Sequence, residues 1–435
     1  MLKTLGKHIS KYYKDTVLLA AAGLIIGIVV GIIDAAFGTI LSECTVLREH
    51  FFWYLVPFLP AAGALIWLIY KKFGRNANKG MKLVFEVGFG HKVDLPIRMV
   101  PLSMIATWIT HLFGGSAGRE GVAVQIGAAV ANNMGRLVDK ITTIEDSKKM
   151  FLITGMAAGF SGLFCTPLAA IFFALEVLVA GKLEYHALIP ATVASFSAAY
   201  TSRALGLRKL YINILETLDF HPSTYDLTFL LKVAVMGLIF GIVGSLFALL
   251  LRYMRLKLMF RFSSPLKKAV IMGIVLALLM IICHRGRYSG SGEALTTLCF
   301  SGNPDAIYPY DWLLKLLLTV LTLSSGFMGG EVAPLFSIGS CLGYVIAPAF
   351  GMDPMFGAAL GFAAVFCSGT NTLLAAILVG VESFGYNMLP FFTVICFVAF
   401  IFNFNNSIFT SQKSIFTRSL RKNSENNHQD SVPPA

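Results

Sequence analysis

Residues Gly114-Gly115-Ser116-Ala117-Gly118-Arg119-Glu120-Gly121 hold a carboxylate between glycines, and the apolar run Val122 to Ala131 follows at once. Glu120 thus stands in sequence of membrane character, where an ionisable side chain usually has a task. The glycines let backbone amides approach whatever occupies that place. The run beyond reads as a helix whose amino end carries partial positive charge. Such an end attracts anions, the Glu120 carboxylate included.

The rest of the chain shares this character. Hydrophobic residues make up 56% of its 435 positions and charged ones 13%, against roughly a quarter charged in soluble domains. The mean hydropathy of +0.73 agrees, and the chain reads as an integral membrane protein. Apolar runs recur at 17–33, 51–70, 187–200, 227–251, 267–283, 313–321 and 389–402. They predict helical spans, since outer-membrane barrels show weak alternating segments instead. The stretches 122–131 and 166–181 are too short or glycine-broken for the ~20 residues of a simple crossing. They predict the half-length helices of transporters with interrupted spans.

A net charge of +12 could point to nucleic acid, but the basic residues sit in short blocks beside apolar runs. Topology accounts for them better, and no nucleic-acid partner is expected. Lys3, Lys7, Lys11 and Lys14 precede the first run. Lys71, Lys72, Arg75, Lys79 and Lys82 follow the second, and six bases without an acid lie between Arg252 and Lys268. These should be cytoplasmic, whereas linker 38–50, with Glu43, Arg48 and Glu49, and the balanced stretch Arg285 to Asp311 should face outward. The run at 17–33 ends at Asp34 without a cleavage pattern, so it reads as a first span rather than a signal peptide. Seven scattered cysteines, with no Cys-x-x-Cys, suggest neither disulfides nor a metal site. The polar tail 412–435 is expected to be disordered, with no room left for a cytoplasmic regulatory domain.

Aligned without gaps, Gly155–Glu176 and Gly361–Glu382 agree at 10 of 22 positions, including Leu-Ala-Ala-Ile and the final Glu. Gly118 to Val122 laid over Gly330 to Pro334 also matches Ile126-Gly127 to Ile338-Gly339. The chain therefore consists of two related halves, 17–206 and 207–411, after a basic segment 1–16. Similarity alone leaves open whether the halves run parallel or inverted. Paired interrupted segments place a site between the halves, near the bilayer midplane.

Three glycine-rich helix entries, Asn78 to Met81, Gly118 to Val122 and Gly329 to Pro334, could together cradle one anion. A dehydrated halide needs compensating donors, which amides and helix ends supply without a full ion pair. The bland alternative is that these glycines permit tight helix packing. Glu120 could be a structural partner of Arg119. The favoured reading is a protonatable gate that occupies the anion's place when charged and swings out when neutral. Glu331 could be a proton stop, a hydrogen-bond partner or a helix cap. Glu176 and Glu382 end their apolar runs and read as interfacial. Gly159-Phe160-Ser161-Gly162 carries the Gly-x-Ser-Gly of some intramembrane proteases, but the histidines lie mostly in polar linkers and the repeat copy lacks the motif, so it reads as packing. Neither a cofactor nor an enzyme motif is indicated.

Gly114 to Gly121, Phe160 to Pro167 with the following Leu-Ala-Ala, and Gly329-Gly330-Glu331-Val332-Ala333-Pro334 resemble the signature regions of the CLC chloride channels and transporters, from about residue 17 to 412. The resemblance implies an all-α membrane fold of two inverted halves with many tilted and broken helices. It also implies a homodimer with one pore per subunit. Val122, Met81 and Glu331 look like the bacterial fluoride branch, whose members exchange fluoride for protons across the inner membrane. Val177 stands where chloride exchangers carry an inner proton glutamate, which moves the second proton role to Glu331. Phe409 departs from both branches, which place a pore tyrosine there; the positive edge of its ring could meet fluoride instead. On this resemblance Glu120 and Glu331 carry protons. Gly80, Met81, Gly118, Arg119, Gly121, Val332, Ala333 and Phe409 form the anion route, several of them through backbone amides. The rival is a chloride-selective member, coupled or passive.

Overall fold

Apolar sequence free of proline coils into helix, and prolines here mark where one helix gives way to the next. The computed structural model describes residues 2–91, 93–138, 146–208, 211–218 and 226–415. Its helices in the first half are α1 (Leu2–His50), α2 (Phe52–Leu55), α3 (Leu59–Ile69), α4 (Met81–Gly88), α5 (Met99–Leu112), α6 (Glu120–Val138), α7 (Ser147–Phe164), α8 (Pro167–Glu176) and α9 (Leu188–Ala204), and the short α10 (Ile214–Thr217) begins the second. The second half holds α11 (Leu227–Arg261), α12 (Pro265–Ile282), α13 (Glu293–Cys299), α14 (Asp311–Ser325), α15 (Val332–Ile346), α16 (Pro354–Thr370), α17 (Leu374–Phe384) and α18 (Leu389–Ile401). Pro57 and Pro60 split the run 51–70 into α2, a 3-10 turn and α3. Pro167, Pro265 and Pro354 each open a helix, where a missing amide costs nothing. Among the described residues, five helical stretches are long and apolar enough to cross a bilayer.

The halves are inverted. Gly118 and Gly330, which the repeat alignment equates, form an antiparallel bridge, each amide donating to the other's carbonyl at 2.7 Å. An equivalent relation joins α8 and α17. Glu176, ending α8, accepts from the amides of Leu374 and Ala375 at the start of α17, at 3.3 and 2.8 Å. Glu382, near the end of α17, accepts from Leu168 and Ala169 at the start of α8, at 3.2 and 2.9 Å. Each carboxylate satisfies amides that a helix start leaves unpaired. Both side chains are buried, so the interfacial placement expected of them is corrected: their charge is held by the opposite helix rather than by water.

Close approach of helices repeats too. A side chain on Gly127 of α6 would collide with the carbonyl of Gly155 in α7, and one on Gly339 of α15 with that of Gly361 in α16. Glycine at these four positions lets the backbones touch. The Gly-x-Ser-Gly segment is likewise packing. Gly159 lies against Ala123 of α6, Gly162 leaves room for the Asp34 carboxylate of α1, and the buried Ser161 hydroxyl donates to the carbonyl of Ser195 at 2.8 Å.

Four boundaries differ from expectation. Residues 2–16 and 38–50 are not separate from the first span, because α1 runs unbroken through both. Arg48, which looks like a linker charge, is buried and donates to the carbonyl of His111 at 3.0 Å. The short run 122–131 is the start of a 19-residue helix, because Asn132, Asn133 and Arg136 continue the coil beyond the apolar part. Order also extends past 412. Gln412 Nε2 donates to the carbonyls of Val177 and Thr370 at 2.9 and 3.1 Å. Strand β2 (Lys413–Ser414) then pairs in parallel with β1 (Val179–Ala180), tying this segment to the first half. The remainder of the expected tail, 416–435, lies outside the described residues.

Candidate functional site

The site forms where the inverted halves meet. The bridge between Gly118 and Gly330 sets the starts of α6 and α15 side by side, so Glu120 from one half faces the first amides of the other. Its side chain is 2% exposed. Oε2 accepts from the amide of Ala333 at 3.1 Å and from that of Arg119 at 3.2 Å, and Oε1 lies 3.7 Å from Arg119 Nε. A carboxylate there is stabilised by a helix start, as an anion would be.

A buried lysine fixes the approach to this place. Lys315 of α14 is wholly buried, and its Nζ donates to Ser116 Oγ and to the carbonyls of Tyr288 and Gly290, at 2.9, 2.9 and 2.7 Å. Gly290 in turn donates to the carbonyl of Gly115 and accepts from the amide of Ala117. The segment leading to Glu120 is thereby bound to the loop before α13. Nothing in sequence singled out Lys315, which sits inside an apolar helix at a position where an unpaired charge would be costly.

Two cavities flank the junction. The larger, about 260 Å³, is lined by Gly80, Met81, Phe85, Val122, Gln125, Arg255, Glu331 and Phe409, among others. Glu331 forms an ion pair with Arg255, Oε1 to Nη2 2.7 Å. Gly80 has φ +55°, a conformation side chains avoid, and this bend turns the chain into α4. Its amide donates to the carbonyl of Ala77. The smaller cavity, about 50 Å³, is lined by Arg119, Glu120, Arg208, Glu293 and Ala333 and by Phe164, Phe336 and Phe362.

A continuous run of phenylalanines joins the cavities. Phe85 meets Phe409 with ring centres 5.5 Å apart, and Phe409 meets Phe173 edge to face at 6.2 Å. Phe173 leads to Phe366 at 6.3 Å, Phe366 to Phe336 at 4.8 Å, and Phe336 stacks on Phe362 and Phe164 at 4.2 and 5.1 Å. Sequence reading picked out Phe409 alone. The available signal was the 36 phenylalanines of the chain, which composition cannot distribute in space.

The expected anion-route residues therefore fall into groups. Gly80, Met81 and Phe409 line the larger cavity, Arg119 and Ala333 the smaller. Gly121 lies between them, its Cα backed by Gly330 and the Glu331 carboxylate. The Gly118 amide is given to Gly330, and Val332 is fully buried and lines neither cavity. Gln125 and Arg255, both on the larger cavity, went unrecognised, Gln125 as a lone polar residue in an apolar run and Arg255 as one of the basic block that topology explains.

The profile of the voltage gated chloride channel family matches residues 62–403. The chain belongs to the CLC family. A chloride/fluoride channel protein of Pseudomonas syringae pv. tomato is 34% identical over 403 residues, covering 91% of this chain and 86% of that protein. The H(+)/Cl(-) exchange transporter ClcA of Yersinia pestis is 28% identical over 66% of this chain and 60% of its own length. The crystal structure of a CLC-type fluoride/proton antiporter superposes with a TM-score of 0.86 at 47% identity, covering 92% of this chain and 99% of that one. A slow cyanobacterial Cl-/H+ antiporter shares the fold at a TM-score of 0.78 and 19% identity. As a CLC protein this chain is a multi-pass membrane protein, in keeping with its apolar helices.

Proposed function

We propose that this protein exchanges fluoride for protons across the inner membrane of a bacterium, protons entering down their gradient and fluoride leaving. It acts as a transporter rather than an enzyme, and as a homodimer in the manner of its family. The observation that carries this reading is the Glu120 carboxylate, buried at the junction of the halves and bound to the amide of Ala333. The charged side chain takes an amide that a halide could otherwise use. Protonation removes its charge and weakens that bond, so the neutral side chain yields the place and carries its proton away. Fluoride and the carboxylate then alternate at one helix start, which couples the two fluxes.

The larger cavity carries Lys79, Lys82 and Arg255, and by the positive-inside rule it opens to the cytoplasm; the smaller opens outward. Glu331, facing the larger cavity, passes protons on that side, with Arg255 holding its carboxylate in position. Fluoride is favoured as the anion by the 47% identity to the antiporter structure and by the phenylalanine run. Ring edges present positive C–H groups, which suit a small hard anion and exclude larger ones by close packing.

Purified protein in liposomes tests the reading. Efflux followed with ion-selective electrodes should be at least tenfold faster for fluoride than for chloride, with protons moving oppositely. Equal rates for the two anions would reject the fluoride assignment, and fluoride flux without proton movement would reject exchange.

A further inference from the structure

Arg119 is shared by two acids of different exposure. Its Nε lies 3.7 Å from Glu120 Oε1 and its Nη2 3.1 Å from Glu293 Oε2; the Glu120 side chain is 2% exposed and that of Glu293 60%. Both acids line the same small cavity, together with Arg208. Glu293 opens α13, its amide donating to Ser291 Oγ, and the preceding loop is the one that Gly290 binds to the Gly115–Ala117 backbone. Glu293 is thus held in register with the gate by the segment that carries the gate.

An ion pair this exposed adds little to stability. Its effect is on the field at the mouth. While Glu120 is charged, two carboxylates attend Arg119. Once Glu120 is neutral, Glu293 is the only acid among the described residues of this cavity left to balance Arg119 and Arg208. Without it, two cations would line a narrow opening and concentrate anions there.

We propose that Glu293 is a positioning residue for anion release: it neutralises Arg119 when Glu120 gives up its charge, so that a departing halide is not retained and outer halide is kept from returning. This rests on the anion-exchange reading above. Loss of Glu293 should make outward flux abnormally sensitive to halide already outside.

The test measures fluoride efflux from liposomes against rising outer fluoride. For Glu293→Gln the outer concentration that halves the rate should fall about three- to tenfold below that of the unaltered protein, as expected for a steering field. Glu293→Asp should restore the unaltered value. Arg208→Gln, which removes an exposed cation from the same cavity, should raise it. Added impermeant salt outside should shrink all these differences, because exposed charges are screened. Identical half-inhibition for Glu293→Gln and the unaltered protein overturns the proposal. So does a rate lowered by one factor at every outer concentration, which is what a merely structural role gives. If the unaltered protein moves chloride and not fluoride, the fluoride assignment falls, and the same curves with outer chloride judge Glu293. Movement of neither anion overturns both.

Discussion

Glu120 has one contact that a buried structural acid would not need. Arg119 alone could neutralise it, yet the carboxylate oxygen reaches across to the amide of Ala333, from the other half of the chain. Glu120→Gln keeps the size and an acceptor oxygen but cannot release a proton. Proton uptake coupled to fluoride efflux should therefore fall at least tenfold in liposomes, while electrode traces still register passive anion movement. Coupling that survives the change would remove Glu120 from the gate. The acid itself was legible, because ionisable groups in membrane sequence are costly and stand out. Its surroundings were less so. Arg255 hid in a basic block that topology explains, and its pairing with Glu331 depends on α11 passing the start of α15. Gln125 lies just over one turn beyond Glu120, and its place on the cavity shows only once the fold sets it against Gly80.

At the scale of elements, α8 and α17 stabilise each other's first turn through Glu176 and Glu382. Truncating either acid leaves one buried and one partly buried amide unsatisfied, a loss of about 1–3 kcal/mol for a buried group. Glu176→Ala and Glu382→Ala should each lower the thermal unfolding temperature in detergent by several degrees. The corresponding Gln variants, which keep one acceptor, should lose less. An Ala variant as stable as the unaltered protein would show that the amides find other partners. The terminal Glu of each repeat copy was visible in the alignment, but the reason for it was not. A residue that ends an apolar run looks interfacial until the opposite helix start is seen to be waiting for it. Helix extents were misread for a similar cause: α1 continues through Arg48 because that charge is satisfied inside by the His111 carbonyl.

For the whole molecule, two related halves were readable from 10 shared positions, but their relative direction was not, since aligned letters carry no orientation. The antiparallel bridge at Gly118 and Gly330 supplies it, and with it the opposition of the two cavities across the junction. If basic blocks face the cytoplasm, the loop after α11 and helix α13 must lie on opposite membrane faces. Cysteine labelling can check this with little background, because six of the seven native cysteines are buried and only Cys283 is partly exposed. In a Cys283→Ser background, Ser263→Cys and Ala294→Cys each introduce one exposed thiol. An impermeant maleimide added to intact spheroplasts should label the cysteine at 294 and spare the one at 263, and inside-out vesicles should reverse the pattern. Labelling of both from the same face would place the two cavities on one side of the bilayer, and exchange across the membrane through this junction would then be impossible.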